Sequence, residues 1–101
     1  MANFTETPVL GDRYVYALQF VAIAHLNQVR KDGTPYLAHL LSVSALVLEA
    51  GGSEDEAIAA LLHDYAEDIA SSPKEGLETI EREFGAAVAA IFSRAPAMEF
   101  S

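Results

Sequence analysis

The sequence predicts an all-α fold, a compact bundle of about five helices. Three observations carry this expectation. Apolar residues recur at helical spacing along most of the chain. Few stretches alternate with period two, and none is bounded like a strand. Two Ser-to-Glu capping signatures and a Gly-Gly pair punctuate the segments as helix ends do.

The first helix is expected over about Asp12 to Gln28, with Ala17, Phe20, Val21, Ala24 and His25 at helical spacing. Lys31-Asp32-Gly33-Thr34-Pro35 breaks it with turn residues. The second helix is expected over about Leu37 to Glu49, with Val43, Leu46, Val47 and Ala50 as its inner stripe, and Gly51-Gly52 ends it. Ser53 with Glu56 three residues later opens the third helix, which is expected to run to about Ile69. Ser72-Pro73-Lys74-Glu75 repeats the start signal for a fourth helix ending near Phe84. Gly85 interrupts, and Ala86 to Phe92 supplies a short fifth helix. The whole reads as one helical domain over 1–93 with a loose tail over 94–101, where Pro96 stands and periodicity is lost.

Composition narrows the chemistry. A chain of 101 residues, about half of them apolar, has enough material for one modest core. No window reaches the roughly 18 uninterrupted apolar residues of a membrane span, and Met1 to Leu10 lacks a signal core. A cytoplasmic protein with no membrane partner is the simplest expectation. The absence of cysteine excludes disulfides, thiol nucleophiles and Cys-based zinc sites. Any metal site must then use His and carboxylates, which leans toward Mn, Fe, Zn or Mg. Six basic residues against fifteen acidic ones give a net charge of −9, so binding to a nucleic acid polymer over a broad face is not expected.

The stretch Leu61-Leu62-His63-Asp64-Tyr65-Ala66-Glu67-Asp68 turns an apolar run into one imidazole and three carboxylates. Ile58, Leu61, Leu62, Tyr65 and Ile69 form a core stripe, and Ala57, Ala59 and Ala60 make the preceding turns apolar all round, as in a helix surrounded by others. His63 and Glu67, and Asp64 and Asp68, are each four apart and stack on neighbouring turns. A solvated acidic face with an incidental His is one reading. The other is a bound cation, since carboxylates sit poorly at a helix C-terminus. His63 and Asp64 can both reach one ion, with His39 as the obvious third donor from another helix. Arg30-Lys31, before the Gly-Pro turn, is either a solvated pair or a clamp for phosphate oxygens. His25, on the apolar face with Val21 and Ala24, is expected to make a structural hydrogen bond rather than to ligate metal.

Together these pieces resemble the HD-domain metallohydrolases, and within them the (p)ppGpp hydrolase domain of the RelA/SpoT homologues. Ala24-His25-x-x-Gln28-x-Arg30-Lys31-x-Gly33-x-Pro35-Tyr36 looks like the family's opening motif, and Leu37-Ala38-His39 follows it. His63-Asp64 is the namesake pair, 24 residues after His39, and Phe84-Gly85 with Val88 and Ile91 resembles the segment that follows. The resemblance implies that His39, His63 and Asp64 bind a divalent metal, usually manganese, that Glu67 and Asp68 position and deprotonate the attacking water, and that Arg30 and Lys31 face the phosphates of a small nucleotide. The implied reaction releases pyrophosphate from the nucleotide 3′ position.

The resemblance covers about Tyr14 to Ile91 and matches the N-terminal half of the HD fold. The family carries a fourth ligand, an Asp in a later motif like Leu-Ala-Asp-Arg-Leu-His-Asn-Met, and no stretch of these 101 residues resembles it. Leu40 also stands where the branch commonly has Pro. Three functions follow as expectations: a metal-dependent phosphohydrolase acting on a nucleotide such as (p)ppGpp, a non-catalytic metal- or nucleotide-binding module, or a structural homo-oligomer with a vestigial site. Three explanations of the missing ligand stand side by side: a natural short form that completes its core by self-association, a truncated or frame-altered product, or replacement by Glu99 or another acid, from this chain or a second one. Self-association into a homo-oligomer is expected in each.

Overall fold

The computed structural model describes residues 10–94. Among them the chain is all-α, with helices α1 (Asp12–Ala24), α2 (Tyr36–Glu49), α3 (Glu54–Leu62), the single turn α4 (Tyr65–Asp68), α5 (Pro73–Phe84) and α6 (Ala86–Arg94). The local start signals act as their chemistry requires. Ser53 and Glu56 form a reciprocal capping box, Glu56 N donating to Ser53 Oγ at 3.1 Å and Ser53 N to Glu56 Oε1 at 2.8 Å. Glu75 N donates to Ser72 Oγ at 3.1 Å, with Pro73 at the first helical position. At the end of α2, Gly51 takes a φ of +91° while Gly52 N reaches Val47 O at 2.8 Å and Gly51 N reaches Leu48 O at 3.1 Å. This is a Schellman closure, and it turns the chain directly into the Ser53 cap.

Helix α3 is the centre of the bundle, with α1, α2 and α6 packed around it. Ala57, Ile58, Ala59, Ala60, Leu61 and Leu62 are all fully buried, as expected for a helix apolar on every side. The three alanines let the neighbouring helices approach closely, and Ile58, Leu61 and Leu62 fill the space with Tyr14, Ala17, Val21, Leu40, Ile80, Phe84 and Val88. A polar knot ties three helices inside this core. Ser44 Oγ donates to Ala57 O at 2.9 Å and shares a 2.6 Å hydrogen bond with the Tyr14 hydroxyl. At the rim, Arg13 donates to Asp55 Oδ1 at 2.7 Å and to Phe84 O at 2.6 Å, clamping α1 to α3 and to the end of α5.

Four expectations need correction. The first helix stops at Ala24, because Leu26 N and Gln28 N close short turns on Ile23 O and His25 O instead of continuing the helical ladder. The inner face of α2 is Leu40, Val43 and Ser44, with Val47 only partly buried, whereas Leu46 is 59% exposed and Ala50 is exposed. The stripe is rotated because Ser44, a polar residue, is drawn inward by its two buried partners. The third helix ends at Leu62 rather than Ile69, and Ile69 is exposed. The fifth helix runs to Arg94, while 95–101 lie outside the described residues, as does the N-terminal segment 1–9.

Ile23, Leu26 and Val29 are 75%, 73% and 60% exposed. No helix of the described residues is long and apolar enough to cross a membrane.

Candidate metal centre

The helix break at His63-Asp64 builds the site. His63 is the C-cap of α3, and its Nδ1 lies 2.6 Å from Ala60 O. A carbonyl can only accept, so Nδ1 carries a proton and donates it. This side-chain bond adds to the long 3.5 Å bond that His63 N makes to the same carbonyl at the helix end. It also directs Nε2 away from the backbone, to 3.1 Å from Asp64 Oδ2. Asp64 adopts φ −102° and ψ −1° and leads into α4. Glu67 and Asp68 therefore belong to the first turn of a new short helix, not to the C-terminus of α3, so the expected conflict with the helix dipole does not arise for them.

Helix α2 brings His39 to the same place. Ligand atoms of His39, His63 and Asp64 lie within 4.8 Å of one another. The His39 and His63 rings meet edge to face, with centroids 5.5 Å apart. The donor set fits a divalent cation. With Nδ1 protonated, a neutral His63 turns the Nε2 lone pair toward the Asp64 carboxylate, and two acceptors at 3.1 Å need a proton or a cation between them. Two imidazole nitrogens and a carboxylate oxygen suit a borderline metal.

The electrostatics agree. Burial pushes the His63 pKa down, but its hydrogen bonds to Asp64 and to Ala60 O and the charges of Asp64 and Asp68 outweigh this, so it lies above the ordinary value. His39 goes the other way: burial lowers its pKa, helped by the positive charges of Arg30 and His63 and opposed by Asp64. For Asp64, burial pushes the carboxyl pKa up, and the hydrogen bonds from His63 and Tyr36 bring it below the usual carboxylate value. The shifts favour the neutral form of His39, the protonated form of His63 and the carboxylate form of Asp64.

The remaining candidates divide. Asp68 is tied to the site, since Gln28 Nε2 donates to its Oδ2 at 3.3 Å and its charge acts on His63 and Tyr36. Glu67 is exposed on α4 beside it and is not one of the three grouped ligands. Arg30, Lys31, Val29, Asp32 and Tyr36 line an open cleft of about 510 Å³. The Asp32 carboxylate there is engaged by Thr34, through N at 3.0 Å and Oγ1 at 2.7 Å, which holds the turn. The Thr34 side chain and then its backbone N–H keep the Asp32 pKa below the ordinary value. His25 makes the structural hydrogen bond expected of it: it is buried, and its Nδ1 pairs with Gln28 Oε1 at 2.6 Å.

Two residues that the sequence reading left without a role stand in this centre. Tyr36 donates its hydroxyl to Asp64 Oδ2, and Gln28 links buried His25 to Asp68. Burial, the Asp64 hydrogen bond and the charges of Asp64 and Asp68 push the Tyr36 phenol pKa well above its ordinary value. The signal available in sequence was spacing: Tyr36 is three residues before His39 on one helix face, and Gln28 is three residues after His25.

With the fold and centre described, comparison with known proteins gives the class. Residues 17–99 match the family described as HD domain, and the chain belongs to that family. Among curated relatives, the chain is similar to a guanosine-3′,5′-bis(diphosphate) 3′-pyrophosphohydrolase, MESH1, of Xenopus tropicalis. The two are 42% identical over 73 residues, covering 68% of this chain and 38% of that protein. It is also similar to a probable guanosine-3′,5′-bis(diphosphate) 3′-pyrophosphohydrolase of Synechocystis sp., 39% identical over 75 residues, 74% of this chain and 9% of that one. A GTP pyrophosphokinase of Streptomyces coelicolor is 41% identical over 61 residues, 60% of this chain and 7% of that one. A solved structure, described as a metazoan ortholog of SpoT that hydrolyzes ppGpp, superposes with a TM-score of 0.74 at 30% identity, covering 92% of this chain and 54% of that one. The chain therefore spans well under half the length of these curated relatives and about half of the solved one. Two of these curated relatives are named as 3′-pyrophosphohydrolases, and one as a pyrophosphokinase.

Proposed function

We propose that the chain is a divalent-metal-dependent phosphohydrolase of the cytoplasm that removes pyrophosphate from the 3′ position of a nucleotide of the (p)ppGpp type. The observation that carries this reading is the grouping of His39, His63 and Asp64 within 4.8 Å, with Asp68 and the Arg30–Lys31 cleft alongside. The names of the relatives support the nucleotide.

His39, His63 and Asp64 would hold a divalent cation, manganese in the first instance, which would supply Lewis-acid polarisation of a phosphoryl oxygen and lower the pKa of a water molecule. The chain's own residues do the rest. Arg30 and Lys31 hold phosphate oxygens in the cleft, the guanidinium by paired hydrogen bonds. Asp68 takes the proton of the attacking water as general base, and Glu67 stands next to it to orient that water. Gln28 holds the Asp68 carboxylate by one oxygen, leaving the other to work.

One observation favours a second reading, a metal- or nucleotide-binding homo-oligomeric module without turnover: the ligand group has three members among the described residues. One experiment separates the two. Metal analysis of the purified chain is followed by a hydrolysis screen over nucleotides, with and without manganese, on wild type, His63→Ala and Asp64→Ala. The expected result is manganese-dependent release of pyrophosphate that both substitutions abolish. Turnover unchanged in either variant refutes the metal mechanism, and saturable nucleotide binding without product selects the module.

A further inference from the structure

Tyr36 is held more firmly than a cleft wall requires. It is the first residue of α2, directly after Pro35. Its backbone N donates to Gln28 O at 2.9 Å, and the Val29–Pro35 bridge pins the same turn. Its ring stacks on buried His25, centroids 5.7 Å apart and planes within 19°, and meets the edge of His39 at 5.4 Å. The hydroxyl ends on Asp64 Oδ2, the oxygen that also faces His63 Nε2.

We propose that Tyr36 is a positioning residue for the metal ligand Asp64: its hydroxyl sets the rotation of the carboxylate so that an unused lone pair points to the cation position between His63 and His39. The inference rests on the metal-centre reading above. The carboxylate can only accept, so the phenol donates, and a carboxylate oxygen retains a second lone pair after accepting one hydrogen bond. Asp64 lies in the break between α3 and α4, so the helix ladder does not restrain its side chain as it would inside a helix. The restraint comes instead from a rigid ring on another helix, 28 residues away in sequence. Partners of this kind, behind the direct ligands, orient them and raise metal affinity. Tyr36 also lines the Arg30–Lys31 cleft, so one side chain joins the ligand geometry to the anion-binding wall.

The test is manganese binding by calorimetry on the full chain, with no substrate. Tyr36→Phe keeps the ring, its stack and the cleft wall and removes only the hydroxyl. The expected result is an unchanged circular dichroism spectrum and manganese affinity weaker by about 10–100-fold. In an Asp64→Asn background, where no carboxylate is left to orient, the same substitution should change affinity by less than about twofold. Tyr36→Leu, which also removes the ring, reports the packing role. If Leu weakens binding while Phe matches wild type, Tyr36 acts only by packing and the proposal is overturned. A wild-type chain that binds no divalent cation overturns the metal-centre reading and this inference together, whereas binding in wild type with an equal affinity in Tyr36→Phe overturns this inference alone. Should the Phe variant not fold, the Tyr36 hydroxyl proton of the wild-type chain is observed by NMR. Slow exchange and a shift on adding zinc are expected, and a fast-exchanging, unshifted proton refutes the assignment.

Discussion

Ser44→Ala is the substitution whose cost the core defines best. Ser44 is fully buried and its hydroxyl makes two hydrogen bonds, to Tyr14 at 2.6 Å and to Ala57 O at 2.9 Å. Removing one oxygen creates almost no cavity, so the cost is that of the hydrogen bonds. Ala57 O keeps its place as a helix acceptor, but the Tyr14 hydroxyl, on a residue only 9% exposed, loses its partner. Two net bonds at about 1 kcal/mol each, plus part of the desolvation of the stranded phenol, give about 2–3 kcal/mol. For a domain of this size that lowers the melting temperature by about 10–20 °C. Tyr14→Phe alone should cost about 1 kcal/mol, because Ser44 keeps Ala57 O. The double variant should cost less than the sum, with a coupling of about 1 kcal/mol, since no hydroxyl is then stranded. Denaturant melts of the four proteins measure this. A Ser44→Ala cost below about 0.5 kcal/mol, typical of a surface site, refutes the reasoning. So does additivity of the two substitutions. The point bears on the candidate site, because the knot joins α2, which carries His39, to α3, whose C-terminal end is capped by His63.

Two more outcomes follow from the same geometry. Metal binding must displace a proton from His63, whose folded pKa lies above the ordinary 6.5. Between about pH 8 and pH 6, affinity should therefore weaken at least about fourfold from His63 alone. His39, with its pKa lowered, adds a smaller loss only near the acid end. In the metal-free chain His63 and Asp64 act in opposite senses. The raised His63 pKa contributes stability that is lost as pH rises through that folded pKa, and the lowered Asp64 pKa contributes stability that is lost as pH falls through its own. Calorimetric titrations at several pH values check the first statement, and a flat affinity contradicts it. Gly76→Ala should destabilise despite the better helix propensity of alanine. A Cβ there would lie 2.6 Å from Ala66 Cα and 2.7 Å from Ala66 Cβ, driving α5 off the short helix that carries Asp68. Overpacking of about 1–3 kcal/mol exceeds a propensity gain of about 1 kcal/mol. A melting temperature above wild type would show that the contact relaxes freely.

The sequence by itself determined what depends on near neighbours in the chain. Ser53 with Glu56, Ser72 with Pro73 and Glu75, and Gly51-Gly52 mark their helix ends because caps are made within a few residues. The all-round apolar turns from Ala57 to Leu62 marked the central helix because burial on every side leaves no polar position. The ordered motif series singled out His39, His63 and Asp64, and the folded chain brings their ligand atoms within 4.8 Å of one another. Tertiary structure decided the rest. The third helix breaks at His63, where the imidazole turns back on Ala60 O and Asp64 is drawn toward Tyr36; helical periodicity ran straight through that point. The stripe of α2 rotated because Ser44 found partners on two other helices. Tyr36 on Asp64 and Gln28 on Asp68 join residues 28 and 40 positions apart, and no local pattern encodes such pairs. They exist because packing around α3 brings the start of α2 and the turn after α1 against the break between α3 and α4.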